Sequence, residues 1–188
     1  MKLGFSNIEA IYLGTLPLDK VYAGFDTVFE LGNKWKQPAY SNWTYTTGYN
    51  WDTSRYNTIT CNGYESGAYP NQIFEDSNAA WQINNQSLPV WIGFYTEPIK
   101  ISSVLLSCPW GSEFVATAFE IQGSNDGSSW TTLGSYTRDS SELFNIIRYT
   151  IPNANRNYYQ YHRIYVTSSS GANGVSFGEL SIDADLQT

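Results

Sequence analysis

The sequence predicts an all-β protein, a sandwich or a barrel, preceded by a short hairpin element. From about residue 41 onward, short runs of apolar or alternating residues are separated by Gly, Pro, Asn and Asp, which is typical of strands joined by turns. No segment has the apolar spacing of a long amphipathic helix. Aromatic residues make up 16% of the chain, and they favour the pleated, half-buried surface of a sheet.

The first element is a repeat near the N-terminus. Residues 11–14 (IYLG) and 21–24 (VYAG) share one pattern, and each is followed by a second short apolar run, at 16–18 and 28–29. This pattern predicts two tandem hairpins with glycine at the turns. A piece of this size cannot bury a core of its own, so we expect it to pack on something else.

The chain is therefore predicted to have two parts. Residues 1–35 would be the hairpin attachment element and its linker, and residues 36–188 would form the sandwich. Within the sandwich, 91–95 and 99–106 are predicted as two strands separated by turn residues 96–98. The alternating segment 119–123 and its return strand 130–133 are predicted to form a hairpin around Asn and Gly. Further strands are predicted at 158–167 and 175–182.

Several motifs, in the right order, resemble those of discoidin domains. These domains are also called coagulation factor five/eight type C domains, and they overlap the family 32 carbohydrate-binding modules. The resemblance covers roughly residues 41–185, and it implies an eight-stranded jelly-roll sandwich that binds carbohydrate. The motifs are 68–81 (AYPNQIFEDSNAAW), 89–92 with 98–101, 119–130 (FEIQGSNDGSSW), 158–166 (YYQYHRIYV) and 178–182 (GELSI).

The N-terminal repeat is similar to short segments at the front of tailed-phage structural proteins. That similarity implies a virion component, in a tail or head fibre or as a decoration protein, assembled in the bacterial cytoplasm. It fits an N-terminus in which we find no signal peptide. We expect residues 1–30 to contact other virion proteins and the chain to form a homo-oligomer.

Composition excludes some partners. The net charge is −7, the isoelectric point is near 4.5 and no basic run occurs, so neither nucleic acid nor an anionic membrane is an expected partner. No apolar stretch is long enough for a spanning helix, so membrane insertion is not expected. Cys61 and Cys108 could form one bridge, but two buried thiols are the favoured interpretation.

The sequence offers no catalytic constellation. His162 is the only histidine, and its place in a predicted strand indicates a structural role. Glu75 and Asp76 are adjacent, so they cannot face each other across a cleft as glycosidase carboxylates do. A distant pair such as Asp52 with Glu113 stays open. We expect no enzyme activity.

The resemblance implies a structural calcium ion, because many sugar-binding discoidin-like domains carry one. The matching positions here are Glu75, Asp76 and Glu179. Calcium prefers hard oxygen ligands, which carboxylates supply. However, Glu75 stands where the family usually has aspartate, and Asp76 where it usually has glycine. The alternative is a solvated acidic turn.

The resemblance also places the ligand site on loops at one end of the sandwich. These are residues 61–70 (first loop), 108–115 (second loop) and 168–177 (third loop). Aromatic rings in such loops can stack on a sugar ring while polar neighbours bind its hydroxyls. Galactose-binding members use a histidine in these loops, and here the only histidine lies elsewhere, which argues against galactose. The candidate ligand-binding residues are Trp110, the strongest of them, and Tyr64, Tyr69, Glu113, Asn173 and Phe177.

Other aromatic and apolar positions on family strands are predicted to be core, and Arg163 is predicted to make a structural ion pair or hydrogen bonds. The predicted function is a phage virion protein whose discoidin-like domain binds carbohydrate on the host surface or in mucus. One alternative is a decoration or assembly protein whose sandwich contacts proteins and not sugar. Another is a cell-surface or enzyme-appended module. The predicted core residues are Phe74, Trp81, Trp91, Phe119, Ile121, Trp130, Leu133, Ile164 and Val166.

Overall fold

The N-terminal part of the chain contains two short antiparallel hairpins. Tyr12–Leu13 (β1) pairs with Leu16–Pro17 (β2), and Lys20–Ala23 (β3) pairs with Asp26–Glu30 (β4). The two predicted hairpins are thus present, although the glycines predicted for their turns lie outside the described residues. The computed structural model describes residues 12–13, 16–17, 20–23, 26–30, 34–48, 51–74, 80–84, 86–108, 114–139, 145–171 and 174–187.

The rest of the chain is a β-sandwich, which confirms the predicted fold class. Its helical elements in the described part are single 3-10 turns at Tyr40–Asn42, Pro70–Phe74 and Asn153–Asn155. No described helix is long and apolar enough to cross a membrane. The strands are Thr44–Thr47 (β5), Thr58–Cys61 (β6), Trp81–Asn84 (β7), Val90–Leu106 (β8), Ala116–Ser124 (β9), Thr131–Thr137 (β10), Ile147–Thr150 (β11), Tyr159–Ser169 (β12), Gly174–Phe177 (β13) and Leu180–Leu186 (β14).

Strand β8 belongs to both layers of the sandwich. Its first half pairs with β12 and β6, and its second half pairs with β14 and β11. The first layer has the strand order β10-β9-β12-β8-β6-β5, with β5 and β6 parallel. Strands β7 and β13 pair only with each other and form a separate two-stranded sheet. The second layer consists of the second half of β8 with β14 and β11, and the core lies between the two layers.

The prediction of two separate strands at 91–95 and 99–106 is wrong, because β8 runs through without a turn. Pro98 cannot donate a backbone hydrogen bond, which made a break the natural expectation. The structure accommodates Pro98 in a bulge: Tyr95 and Ile99 on β8 face Tyr161 and Tyr159 on β12, so β8 has extra residues between the pairs. The strand passes between the layers at this point.

Alternation along the central strands explains which residues form the core. Phe119 and Ile121 on β9 face Val166 and Ile164 on β12, and all four side chains are buried. Their neighbours point to the opposite face of the sheet, since successive side chains alternate. Most of the predicted core is confirmed, namely Phe74, Trp81, Phe119, Ile121, Leu133, Ile164 and Val166, whereas Trp91 is buried on the opposite face of the sheet.

Both cysteines are buried free thiols, as the sequence favoured. The Cys61 thiol donates to the carbonyl oxygen of Gly63 at 3.2 Å, and the Cys108 thiol lies 3.6 Å from the carbonyl oxygen of Phe114. Burial raises the pKa of Cys61 to about 11, so its thiol stays protonated and unreactive near neutral pH.

The segment from Lys34 to Gln37 is bound to strand β14. The backbone N–H of Trp35 donates to the carbonyl of Ala184 on β14, and Gln37 exchanges side-chain hydrogen bonds with β14. The Lys34 ammonium lies 2.9 Å from a carboxylate oxygen of Asp185. The Trp35 side chain is only 6% exposed and belongs to the core.

Replacing Trp35 by alanine should destabilise the sandwich by about 3–5 kcal/mol, because a buried indole leaves a large cavity. Lys36→Ala is the matched control, since Lys36 is an exposed neighbour, and it should change the free energy of unfolding by less than about 0.5 kcal/mol. Denaturant unfolding measures both. Equal stabilities for the two variants would contradict the assignment of residue 35 to the core.

His162 is a core residue, in line with the structural role expected for it. Its side chain is 0% exposed and its ring stacks on Phe94 with centroids 5.3 Å apart. Neither ring nitrogen has a hydrogen-bond partner among the described residues. Burial lowers the pKa of His162 from 6.5 to about 3, so the imidazole is neutral in the folded protein.

Acid should therefore destabilise the protein through His162. Because the folded pKa lies below the unfolded one, the unfolded chain takes up the proton first as the pH falls. The stability of the wild type should be retained above pH 6.5 and decline between pH 6.5 and about 3. The slope reaches at most about 1.4 kcal/mol per pH unit for one proton.

His162→Phe keeps a flat ring against Phe94 and removes the titration. Chemical denaturation at a series of pH values should show a shallower decline for this variant than for the wild type. Parallel curves over the whole window would show that His162 does not titrate on unfolding in this way.

Candidate functional site

The first and third loops meet at the end of β7. The backbone N–H of Asn84, the last residue of β7, donates to Oε1 of Glu65 in the first loop at 3.2 Å. Asn84 also pairs with Gly174 in the third loop. Gly174 in turn lies against Phe114 of the second loop so closely that a Cβ there would be 2.6 Å from Cδ1 of the phenylalanine. Glycine is thus required where the loops pack together.

A reciprocal pair of hydrogen bonds ties the second loop to the third. The Val115 N–H donates to Oγ of Ser170 at 3.1 Å, and the Ser170 N–H donates to the Val115 carbonyl at 2.9 Å. The three loops that the resemblance named therefore come together at one end of the sandwich, as far as their described residues show.

Two tyrosines of the first loop, Tyr64 and Tyr69, pack with Tyr45 of β5 in a group of three that we call the tyrosine cluster. Each ring contacts the other two: the centroids are 5.6 Å apart for Tyr45 and Tyr64, 5.9 Å for Tyr45 and Tyr69, and 5.6 Å for Tyr64 and Tyr69. Tyr69 is 38% exposed, whereas Tyr45 and Tyr64 also pack against the core. The cluster is thus anchored on one side and open to solvent on the other.

A tight turn brings Tyr64 and Tyr69 together. The Ala68 N–H donates to the Glu65 carbonyl at 3.0 Å, and Gly67 has a φ of +88°, which a residue with a Cβ rarely adopts. After the turn, Oε1 of Gln72 accepts the Tyr69 N–H at 2.7 Å, and so fixes the start of the following 3-10 turn.

Tyr45 was not identified from the sequence. It lies on the edge strand β5, in a Thr-Tyr-Thr-Thr segment whose strand propensity was the available signal. Burial, followed by the neighbouring Tyr64, raises the pKa of the Tyr45 hydroxyl. Tyr45 therefore stays a neutral hydrogen-bond donor and acceptor in the cluster.

The structure places only some of the predicted ligand-binding residues. Tyr64 and Tyr69 lie together, while Trp110, Glu113 and Asn173 are outside the described residues and stay predictions. The inclusion of Phe177 is corrected: its ring is 1% exposed and stacks on Trp81 with centroids 5.8 Å apart. All four residues of β13 are buried, so this ring cannot contact a ligand from solvent.

Arg163 and Trp130 lie on the outer face of the first layer, the face opposite the core. The prediction that Trp130 belongs to the core is wrong, because its ring is half-buried there and supports the Arg163 guanidinium, whose carbon lies 4.1 Å from the ring centroid. The same guanidinium lies 4.6 Å from the Tyr165 ring, and its Nε donates to Oε1 of Gln122 at 2.6 Å. The expectation of hydrogen bonds for Arg163 is met.

Trp51 covers this outer face. Its ring stacks on Trp91 at 5.9 Å and meets the edge of Tyr161 at 5.1 Å. A Cβ at Gly93 would lie 2.7 Å from Cη2 of Trp51 and 2.8 Å from the His162 carbonyl, so only glycine lets the indole lie flat on the sheet. Trp91 is therefore buried beneath Trp51 and not within the main core.

The hairpin between β9 and β10 explains the Ser-Asn-Asp-Gly motif. Oδ1 of Asp126 accepts the N–H groups of Ser128 at 2.8 Å and Ser129 at 2.7 Å, and Gly127 adopts a φ of +69°. These backbone hydrogen bonds, that of Ser129 first, lower the pKa of Asp126 far below its usual value. The motif is thus a structural turn that presents Trp130 to Arg163.

Of the three predicted calcium ligands, only Glu179 lies among the described residues. Glu75 and Asp76 lie outside the described residues, and the described ones include no group of three or more His, Cys, Asp or Glu side chains that could hold a metal ion. Glu179 is half-buried, and the hydrogen bonds it makes to Ser107 use its backbone. The calcium site therefore stays a prediction.

The described part of the chain shows no arrangement suited to catalysis. His162 is sealed in the core, Asp52 is paired with Ser54, and Glu113, its open partner in the sequence prediction, is not described. The described residues of the loops instead offer aromatic rings for stacking and polar groups for hydrogen bonds.

Comparison of folds identifies similar solved structures. No protein-family model matches the chain, and no curated protein was found to be similar to it in sequence. A family 32 carbohydrate-binding module from C. perfringens NanJ, in complex with galactose, is similar with a TM-score of 0.58 and 18% identity, over 67% of this chain and 92% of that one. The chain therefore has the discoidin-like jelly-roll fold.

Two further neighbours have the same fold. Chitosan-binding module 2 of a Paenibacillus sp. IK-5 chitosanase/glucanase, in complex with chitotriose, shows 25% identity and a TM-score of 0.54, over 66% of this chain and 93% of that one. The family 32 module of AlyQ, in complex with 4,5-unsaturated mannuronic acid, shows 18% identity and a TM-score of 0.56, over 68% and 95%. These neighbours are binding modules, and in AlyQ the module accompanies a separate alginate lyase domain.

Calcium should raise the melting temperature of EDTA-stripped protein, because a ligand that binds only the folded state stabilises it by mass action. Glu179→Gln should reduce that rise, whereas Asp183→Asn, an exposed carboxylate on β14, should not. Differential scanning calorimetry at increasing calcium concentrations provides the measurement. Identical melting curves with and without calcium would end the idea of a calcium site.

Proposed function

We propose that this chain is a non-catalytic module that binds carbohydrate through the tyrosine cluster of the first loop. The observation that carries the proposal is the mutual packing of Tyr45, Tyr64 and Tyr69 at the loop end of a jelly-roll sandwich, with Tyr69 open to solvent. Neighbours with this fold bind galactose, chitotriose and a uronic acid.

The cluster suits a sugar ring for two reasons. An aromatic face covers the apolar side of the ring, and hydroxyl, amide and carboxylate groups around it can bind the sugar hydroxyls. Polar groups are close by: Glu65 follows Tyr64 directly, and the Gln82 and Asn84 side chains are joined by a 2.8 Å hydrogen bond at the end of β7. Trp110, Glu113 and Asn173 would extend the site from the other two loops.

The biological setting that we propose is a phage particle. The N-terminal hairpins would attach the module to other virion proteins, and the sandwich would bind glycans of the host surface or mucus. Binding at each site would be weak, and a homo-oligomer carrying many copies on one particle would supply avidity. The support for this setting is the N-terminal repeat and its similarity to phage structural proteins.

A second candidate function is protein-protein contact through the outer face. Its support is the aromatic surface around Trp130 and Tyr165, together with Tyr56, which is 46% exposed and packs on Tyr95 at 5.3 Å. Aromatic residues are enriched at protein interfaces. In this candidate the chain is a virion decoration or assembly protein.

Tyr69→Ala should weaken glycan binding by about tenfold, because it removes the exposed ring of the stacking surface. Tyr56→Ala is the matched control, since Tyr56 is also an exposed tyrosine, 46% against 38% for Tyr69, and lies on the outer face. A glycan array identifies the ligand, and isothermal titration calorimetry compares the variants. Equal affinity of Tyr69→Ala and wild type, with weaker binding by Tyr56→Ala, would move the site to the outer face.

A further inference from the structure

We infer that the tyrosine cluster selects glycans that carry protonated amino groups, such as glucosamine polymers, over neutral and acidic glycans. The inference rests on the proposed function and names the ligand class of the same site. It follows from the charge of the chain around the cluster, from the aromatic faces that the cluster offers, and from the position of Glu65.

Cationic side chains are almost absent from the part of the chain that builds the loop end. From Tyr56 to Thr137 the sequence contains a single one, Lys100, and neither of the two loops in that stretch nor the third loop contains any. Lys100 lies on β8, with its ammonium 3.7 Å from Asp185 and 5.0 Å from the Tyr158 ring. The carboxylates of the same stretch are Glu65, Glu75, Asp76, Glu97, Glu113, Glu120 and Asp126.

This distribution disfavours acidic glycans. A uronate or sialate brought to the loops would meet carboxylates in segments whose sequences contain no Lys or Arg, and like charges repel. The net charge of −7 adds a long-range field of the same sign, which attracts cations and repels anions. Charge complementarity therefore favours a positively charged ligand.

The tyrosine cluster also offers aromatic faces suited to a cation. An ammonium group within about 6 Å of an aromatic centroid is attracted by the negative face of the ring. Elsewhere in the described structure, three aromatic rings are covered by cations of the protein itself. Arg163 lies over Trp130 and Tyr165, and Lys100 lies over Tyr158. Among the described residues, no cation lies over a ring of the tyrosine cluster.

Glu65 supplies a carboxylate in the same loop as Tyr64 and Tyr69. It directly follows Tyr64, and its carboxylate is oriented by the Asn84 N–H, which donates to Oε1 at 3.2 Å. The backbone of Glu65 is held as well, because its N–H donates to the Gln82 carbonyl at 2.8 Å and its carbonyl accepts the Ala68 N–H at 3.0 Å. A carboxylate accepts several hydrogen bonds, so this interaction leaves acceptor capacity for an ammonium group.

The fold alone does not decide the ligand class. The neighbours include a module in complex with chitotriose and another in complex with an unsaturated mannuronic acid. The choice must therefore come from the residues at the loop end of each chain, which here are aromatic and acidic.

Calorimetric titration of the full chain with chitotriose, with its fully N-acetylated counterpart and with a mannuronate trisaccharide tests the inference. At low salt and mildly acidic pH, chitotriose should bind about tenfold more tightly than the acetylated sugar, and mannuronate should bind least. Added salt should reduce the preference for chitotriose, because it screens charge attraction. Glu65→Gln should lose about tenfold in affinity for chitotriose and little for the acetylated sugar.

Glu97→Gln is the matched control, a carboxylate of the same cation-poor stretch that lies on β8 and not in the loops, and it should behave as the wild type. Melting curves establish that each variant is folded, and the salt dependence of the wild type tests the inference without any substitution. Equal or tighter binding of the acetylated sugar, unaffected by salt, would overturn the amino-sugar preference and leave the carbohydrate site in place. Failure of all glycans to bind would overturn the proposed function as well.

Discussion

The two layers of the sandwich share one continuous strand, β8. It pairs with β12 and β6 in one layer and with β14 and β11 in the other, so its bulge at Pro98 sets how the two layers face each other. Its alternation also sends Ile92 and Phe94 into the core, and Trp91 and Gly93 to the outer face. The core, the outer face and the anchoring of the loops all follow from this one strand.

The molecule presents two aromatic surfaces with different chemistry. On the outer face, Trp51 lies over the sheet, and the Arg163 guanidinium makes cation-π contacts with Trp130 and Tyr165. These two rings therefore already interact with a cation of the protein. At the loop end, a tight turn joins Tyr64 and Tyr69, no cation of the described residues lies over the rings of the tyrosine cluster, and the Tyr69 ring is open to solvent. This difference is why we assign ligand binding to the loops and a structural role to most of the outer face.

Sequence reasoning predicted the fold well because strand alternation and turn residues are local signals, as the hairpin from 119 to 133 illustrates. It failed where tertiary packing decides. Pro98 suggested a break, but a bulge accommodates it. Trp130 looked like a core residue, but it packs against Trp51, 79 positions away along the chain. Phe177 looked like a loop residue, but its ring is buried in the core. Tyr45 entered the candidate site only through its contacts with the first loop, which no local pattern reveals.

The most direct test of the central claim is a map of where the sugar binds. Amide and indole resonances of the full chain should be followed by nuclear magnetic resonance during titration with chitotriose or its acetylated counterpart, whichever binds more tightly. We expect shifts at Tyr64 to Tyr69 and at Asn84, with the indole signals of Trp51 and Trp130 unchanged. Shifts confined to the Trp51 and Trp130 indoles, with the first loop unchanged, would contradict it.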